Sequence, residues 1–240
     1  MCIRDRLYQY LRRFNGVVAS HTSGTNMGTD WRDNDALVEP FVEIYQGIRQ
    51  NYERPGAPRS NSENDSIGGW RPKGFIDLAL QKGYKLAFES SSDHISTHMS
   101  YANALAEEAT RESVLQAFQK RHVYAATDVI LAEFTSGNHI MGDEFDVPSA
   151  PELKVKLSGT APFAKVHIIK DDNYVYATEP NTRTVDFTWR DNSPQRGKQS
   201  YYYIRGEQAD GEVVWASPMW ITYTGNQTSG SETSGGSGGR

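Results

Sequence analysis

The pattern of apolar residues changes once along the chain, and this change limits the possible folds more than any other feature. Before residue 149, short apolar runs such as Val17-Val18-Ala19 alternate with helical segments, among them 72–80, which opens at a proline. From residue 152 onward, apolar and polar residues alternate strictly, as at 153–157. The first pattern predicts parallel βαβ units, and the second predicts a half-buried antiparallel sheet.

We therefore expect an α/β region followed by an all-β region that forms an antiparallel β-sandwich. Two prolines interrupt the pattern near residue 149, so we divide the chain into an α/β part at 7–148 and a β-sandwich at 149–224. The segment 225–240 contains six Gly and four Ser residues, and we expect a disordered tail there. The segment 1–6 resembles the scars found where fragments are assembled from sequencing reads.

Three local signals refine this division. Asp210-Gly211 separates two apolar segments and predicts a hairpin turn. Thr110 precedes a segment with an apolar helical face and predicts a helix N-cap. The run at 129–134 predicts a further buried strand of the α/β part.

The composition excludes several classes of protein. Asp and Glu outnumber Lys and Arg by 30 to 25, so a generally basic nucleic-acid-binding protein is excluded. No apolar run is long enough to span a membrane. Cys2 is the only cysteine, so any metal would be held by His, Asp, Glu or backbone oxygen. The acidic excess lies in the first 150 residues, which suits a cation site, although solvated surface carboxylates give the same count.

Side chains that could carry chemistry fall at the ends of the predicted strands. His21 directly follows one apolar run, and Glu43 lies inside another. Asp93 and His94 come after a third. In parallel α/β folds, functional side chains gather at the C-terminal ends of the strands. Imidazole nitrogen and carboxylate oxygen together suit zinc, manganese or iron, and such an ion would activate a water molecule.

The spacing alone leaves a structural alternative open. A single histidine at a strand end is commonly structural, and Glu43 on an edge strand would point to solvent. The loop after His21 carries Asp30 and Arg32, which are candidates for substrate binding because an arginine there would face an anion. A solvated loop is the alternative for these two residues.

Longer segments of the sequence carry a resemblance to a known family. They are 19–25, 27–35, 42–47, 91–96, 121–128, 141–142, 201–205 and 215–220. In these segments the chain resembles one branch of the PHP superfamily (polymerase and histidinol phosphatase), a branch known mainly as a domain of unknown function. The resemblance extends from His21 to Ile221.

The resemblance implies a distorted (β/α) barrel that holds up to three divalent metals and hydrolyses phosphate esters with metal-activated water. His21 matches the middle histidine of the family, Glu43 the strand glutamate, and Asp93 the late aspartate. A complete barrel needs about 250 residues, so we expect a partial barrel followed by the sandwich.

Two departures from the family pattern affect the metal site. The late motif has no spacer, so His94 is the nearest candidate for its histidine, and His98 is a substitute one helical turn further on. The early His-x-His motif is absent. We therefore expect weak metal binding and little activity from this chain.

Two hypotheses of different classes follow. The first is a metal-dependent phosphoesterase that acts on a small phosphorylated or other anionic substrate and binds no nucleic acid. The second is a non-catalytic barrel relic whose β-sandwich binds a glycan or a protein. Convergence of the predicted ligands would favour the first, and an exposed row formed by Trp189, Trp215 and Trp220 would favour the second. The sequence does not specify the substrate, the oligomeric state or the compartment.

Overall fold

A computed structural model describes residues 3–47, 50–94, 96 and 98–225, and strands dominate it. The helices are α1 (Ile3–Arg13), α2 (Ile76–Gln81), which follows a 3-10 turn at Pro72–Gly74, and α3 (Arg111–Gln119). The strands of the first half are β1 (Ala19–Ser20), β2 (Phe41–Gln46), β3 (Ala87–Ser91), β4 (Tyr101–Ala104), β5 (Val123–Ala126), β6 (Leu131–Ser136), β7 (His139–Ile140) and β8 (Glu144–Val147). Those of the second half are β9 (Glu152–Ser158), β10 (Phe163–Lys170), β11 (Asn173–Thr178), β12 (Thr184–Arg190), β13 (Gln199–Gln208) and β14 (Val213–Tyr223).

Strands β1, β2 and β3 form a small parallel sheet in that order. Every residue of β2 is buried, as expected for the central strand of a sheet covered on both faces. Ile76, Ala79 and Leu80 of α2 share one apolar core with Val42 of β2. This sheet therefore retains the βαβ character that the first half of the sequence predicts.

A seven-stranded sheet forms the middle of the molecule, with the order β11-β10-β13-β14-β5-β4 and with β8 beside β14. The pairings along this path are antiparallel, whereas β8 runs parallel to the end of β14. Both faces of the sheet are covered. Tyr202 and Ile204 pack on one face, and Tyr201 and Tyr203 pack on the other, because successive side chains of a strand point to opposite sides.

A four-stranded sheet with the order β12-β9-β6-β7 packs on one of these faces. Its strands alternate between buried and exposed residues: Leu153, Val155 and Leu157 of β9 are buried, and the residues between them face outward. The parallel sheet and α2 pack on the other face of the middle sheet. The fold thus has three layers with an antiparallel sheet at the centre.

The predicted fold class, a partial (β/α) barrel followed by a separate sandwich, is wrong. The described residues contain no closed barrel, and only β1–β3 form a parallel sheet. Strands β4–β8, which the sequence analysis assigns to the α/β part, belong to the two other sheets. Both of those sheets extend across residue 149, where the sequence analysis places the domain boundary.

The physical reason for this error lies in two strands. The run at 129–134 looks continuous because Leu131 is apolar, yet Leu131 is 63% exposed and β6 alternates between exposed and buried residues. All of β5 is buried because Tyr124 packs against the four-stranded sheet and Ala125 packs toward the parallel sheet. A central antiparallel strand covered on both faces has the same sequence pattern as a parallel one.

Two of the three local signals, the hairpin turn and the helix N-cap, are confirmed. Asp210-Gly211 connects β13 and β14 as a hairpin, and Gly211 takes a φ of +88°. The Thr110 side chain accepts a hydrogen bond of 3.2 Å from the Ser113 amide at the start of α3. The predicted disordered tail lies, apart from Gly225, outside the described residues.

Candidate functional site

The C-terminal edge of the parallel sheet brings together three of the predicted residues, His21, Glu43 and Asp93. Ser20 is paired with Val42 and Glu43 with Glu89 in the strand register. His21 follows Ser20 as Glu43 follows Val42, so His21, Glu43 and Glu89 occupy neighbouring positions across this edge. The sequence analysis did not select Glu89.

The carboxylate of Glu43 is buried and fixed on both oxygens. The Thr22 amide donates to its Oε2 at 3.0 Å, and the Ser91 hydroxyl donates to its Oε1 at 2.5 Å. Burial raises the pKa of Glu43, these two hydrogen bonds oppose the rise, and the nearby His21 and Asp93 act in opposite directions. Glu43 thus has both carboxyl oxygens hydrogen-bonded and lies near both His21 and Asp93.

Asp93 is connected to Glu43 through Ser91. The Asp93 amide donates to the Ser91 hydroxyl at 3.3 Å, while that hydroxyl donates to Glu43. Asp93 and Thr22 both take positive φ angles, +55° and +49°. Non-glycine residues held in this region cost conformational energy and cluster at functional sites.

The predicted histidine ligands after Asp93 lie further out. The Nε2 of His94 is 3.8 Å from an Asp93 oxygen, but the His94 side chain is 82% exposed. His98 is also exposed. The structure therefore groups His21, Glu43 and Asp93, and it places the rings of His94 and His98 toward solvent.

Glu89 differs from Glu43 in its hydrogen bonding. Within the described ranges, no hydrogen bond to the Glu89 carboxyl group is found. Burial, together with the charge of Glu43, raises the pKa of Glu89 to about 8. Glu89 is consequently protonated for the most part at neutral pH.

The described residues do not by themselves form a complete metal site. In this part of the chain, no group of three His, Cys, Asp or Glu side chains is arranged to hold a metal ion. The side chains of His94 and His98, two of the predicted ligands, are exposed to solvent. The predicted zinc, manganese or iron ligands thus do not fit a cation without further groups.

A cleft of about 380 Å³ lies beside β1, and it contains the predicted substrate-binding residues. Its polar lining includes Tyr8, Ser20, His21, Thr29, Asp30, Arg32, Glu39 and Arg71. Arg32 Nε donates to one oxygen of Asp30 at 2.8 Å, and Arg71 Nη2 donates to the other at 3.0 Å. The hydrogen bond from Arg32 is the main cause that lowers the pKa of Asp30.

Glu39 forms the buried side of this cleft. Its carboxylate accepts hydrogen bonds from the Tyr8 hydroxyl at 2.7 Å, from the Ser20 hydroxyl and from the Asn34 amide at 3.2 Å. These contacts tie α1, the end of β1 and the following loop together. Neither Glu39 nor Arg71 was selected from the sequence, since each acts through residues that are distant in the chain.

The tryptophans do not form an exposed row. Trp215 and Trp220 are buried, and the Trp215 indole donates to Glu53 at 2.8 Å. Trp189 is partly buried and packs against the core between the sheets. The hypothesis of a glycan-binding sandwich loses its main support.

Comparison with known proteins identifies relatives without an assigned activity. No family model matches the chain. Uncharacterized proteins of Chlamydia trachomatis and Chlamydia muridarum are each 25% identical to it, and one of Chlamydia pneumoniae is 27% identical. Each match covers 85% of this chain and 38% of the relative, so the chain spans about two fifths of these proteins. Their descriptions give no indication of the PHP superfamily.

One solved structure, of Clostridium thermocellum CbhA fibronectin(III)-like modules, covers 37% of this chain and 94% of its own, with 13% identity and a TM-score of 0.26. A similarity this low supports no argument. Among the helices of the described ranges, none has the length and apolar character needed to cross a membrane.

Proposed function

We propose that the protein is a metal-dependent hydrolase that acts on a small phosphate ester or another anionic substrate. The chain would contribute one wall of its catalytic site. The observation that carries this proposal is the grouping of His21, Glu43 and Asp93 at one sheet edge, beside a cleft that His21 also lines.

Glu43 and His21 differ in their surroundings: hydrogen bonds hold Glu43 in place, whereas the His21 side chain is exposed to a ligand in the cleft. Glu43 is held by Thr22 and Ser91, so its carboxyl group is fixed near His21. His21 is exposed and lines the cleft. An imidazole at such a position suits proton transfer to or from a bound substrate.

The resemblance also implies a divalent cation, zinc, manganese or iron. Because the described residues do not complete a cation site, we derive no step through a metal. In the proposal, a complete site would need ligands besides the described residues, which alone would bind the cation weakly.

Titration with Mn²⁺ and Zn²⁺ tests the cation part of the proposal. We expect weak binding by the wild-type chain and weaker binding by the His21→Ala and Glu43→Gln variants, because each removes one group from the shared edge. Glu133→Gln, on the exposed face of β6, is the control and should bind like the wild type. Tight binding of one ion per chain would contradict an incomplete site.

Hydrolysis of a chromogenic phosphate monoester with added Mn²⁺ tests the reaction. We expect slow turnover that falls at least about a hundredfold in His21→Ala, the lower end of the contribution of an acid–base group. Turnover should also fall in Glu43→Gln, which alters the carboxyl group next to His21. Glu133→Gln should keep the wild-type rate. No turnover by the wild type, or equal turnover by all variants, would contradict the proposed function.

A further inference from the structure

Arg32 is the more exposed of the two arginines in the cleft beside β1. The Arg32 side chain is 84% exposed, and its Nε is bound to Asp30. Within the described ranges, no hydrogen bond is found for its two terminal nitrogens. A guanidinium anchored through Nε presents its two outer nitrogens as a planar fork, which matches the geometry of an oxyanion.

Arg71 has a different role in the same cleft. Its Nη1 donates to the Gly28 carbonyl at 2.8 Å and its Nη2 donates to Asp30 at 3.0 Å. Both terminal groups are thus engaged, and the Arg71 side chain is only 31% exposed. Arg71 fixes Asp30, and Asp30 in turn fixes Arg32.

The cleft presents Arg32 to a ligand more than its other charged side chains. Arg32 and Arg71 share the carboxylate of Asp30, and Glu39 is buried and hydrogen-bonded to Tyr8, Ser20 and Asn34. Of these four charged side chains, Arg32 is the most exposed. The cleft volume of about 380 Å³ suits a small ligand.

We infer that Arg32 binds the phosphate group of the substrate in this cleft, with Asp30 and Arg71 as the residues that position its guanidinium. The inference rests on the proposed function for the identity of the anion. Because Arg32 and His21 line the same cleft, a phosphate held by Arg32 would share this space with the imidazole of His21.

Thermal denaturation in the presence of inorganic phosphate tests this assignment without measuring turnover. A ligand that binds the folded state raises the denaturation temperature in a saturable way. We expect such a rise for the wild type against sodium chloride of equal ionic strength, and its loss in Arg32→Gln. Arg32→Lys should retain part of the effect, because it keeps the charge but not the fork. Arg111→Gln, on the exposed first turn of α3, is the matched control and should respond like the wild type.

The Asp30→Asn variant tests whether Asp30 positions the Arg32 guanidinium or only contributes a negative charge. Removing a carboxylate next to two arginines should strengthen phosphate binding if only net charge counts. If Asp30 positions Arg32, the affinity should instead fall several-fold, since the guanidinium loses its anchor. Equal or tighter binding by Asp30→Asn would overturn the positioning role.

The outcomes distinguish the two proposals. Saturable phosphate binding that depends on Arg32, without any phosphate ester hydrolysis, would leave this inference standing and contradict the proposed function. A phosphate response that is absent, or unchanged in Arg32→Gln, would overturn the inference whether or not the chain hydrolyses esters. Stabilisation by acetate equal to that by phosphate would assign the site to carboxylates and overturn the phosphate assignment.

Discussion

Glu89 shows how the register of a sheet decides the chemistry of a single residue. The strand pairing places it beside Glu43, whose oxygens are both hydrogen-bonded, whereas no such bond to Glu89 is found in the described ranges. Two neighbouring carboxyl groups cannot both ionise without repulsion. The proton therefore resides on Glu89, the one without stabilising donors, and its pKa rises to about 8.

This assignment predicts a pH-dependent contribution to stability. The pKa of Glu89 is raised on folding, so the unfolded state releases its proton first and the folded state loses stability as pH rises from about 4.5 to about 8. Glu89→Gln should remove this contribution. Urea denaturation should give similar stabilities for variant and wild type near pH 5 and a more stable variant near pH 8. A difference that does not change with pH would contradict the raised pKa.

The sequence predicts those site residues whose place at the end of a strand can be recognised from the neighbouring residues in the chain. His21, Glu43 and Asp93 fall at or near the ends of apolar runs, and the structure groups them. Glu89 and Arg71 were missed because their roles depend on partners in other segments: the register partner Glu43 and the distant Asp30. No local pattern in the sequence reveals such pairings.

At the scale of elements, one buried ion pair holds the long segment between β2 and α2 against the middle sheet. Arg205 Nη1 of β13 donates to both Glu53 oxygens, at 2.8 and 3.0 Å, and Tyr203 and Trp215 donate to the same carboxylate at 2.8 Å each. Both charged side chains are almost fully buried. Removing one partner would leave an uncompensated charge.

We therefore expect Glu53→Gln to destabilise the fold by about 3 kcal/mol, the lower end for breaking a buried pair, because Arg205 keeps Glu207 as a second partner. Chemical denaturation measures this change. Glu207→Gln, which removes the more exposed partner of Arg205, should cost less than about 1 kcal/mol. Equal effects of the two substitutions would contradict the importance of burial at Glu53.

At the scale of the whole molecule, the middle sheet links the two halves of the sequence. β14 pairs with β5 through Val214 and with β8 through Trp220. Its side chains enter both apolar cores, Val214 toward the four-stranded sheet and Trp215 toward the parallel sheet. The change of periodicity near residue 149 predicts a domain boundary there. Long-range pairing between strands on either side of that residue cannot be obtained from periodicity.

A fragment that starts at residue 149 tests whether this linkage is essential. It would lack β1–β8 and α1–α3, so β14 would lose two neighbouring strands, β9 would lose β6, and one face of the middle sheet would be uncovered. Exposing that much apolar surface removes a large part of the stabilising free energy of a small domain. We expect the 149–225 fragment to show no cooperative thermal transition by circular dichroism, whereas the full chain should show one. A cooperative transition of the fragment would restore the boundary at residue 149 and make the sandwich an independent domain.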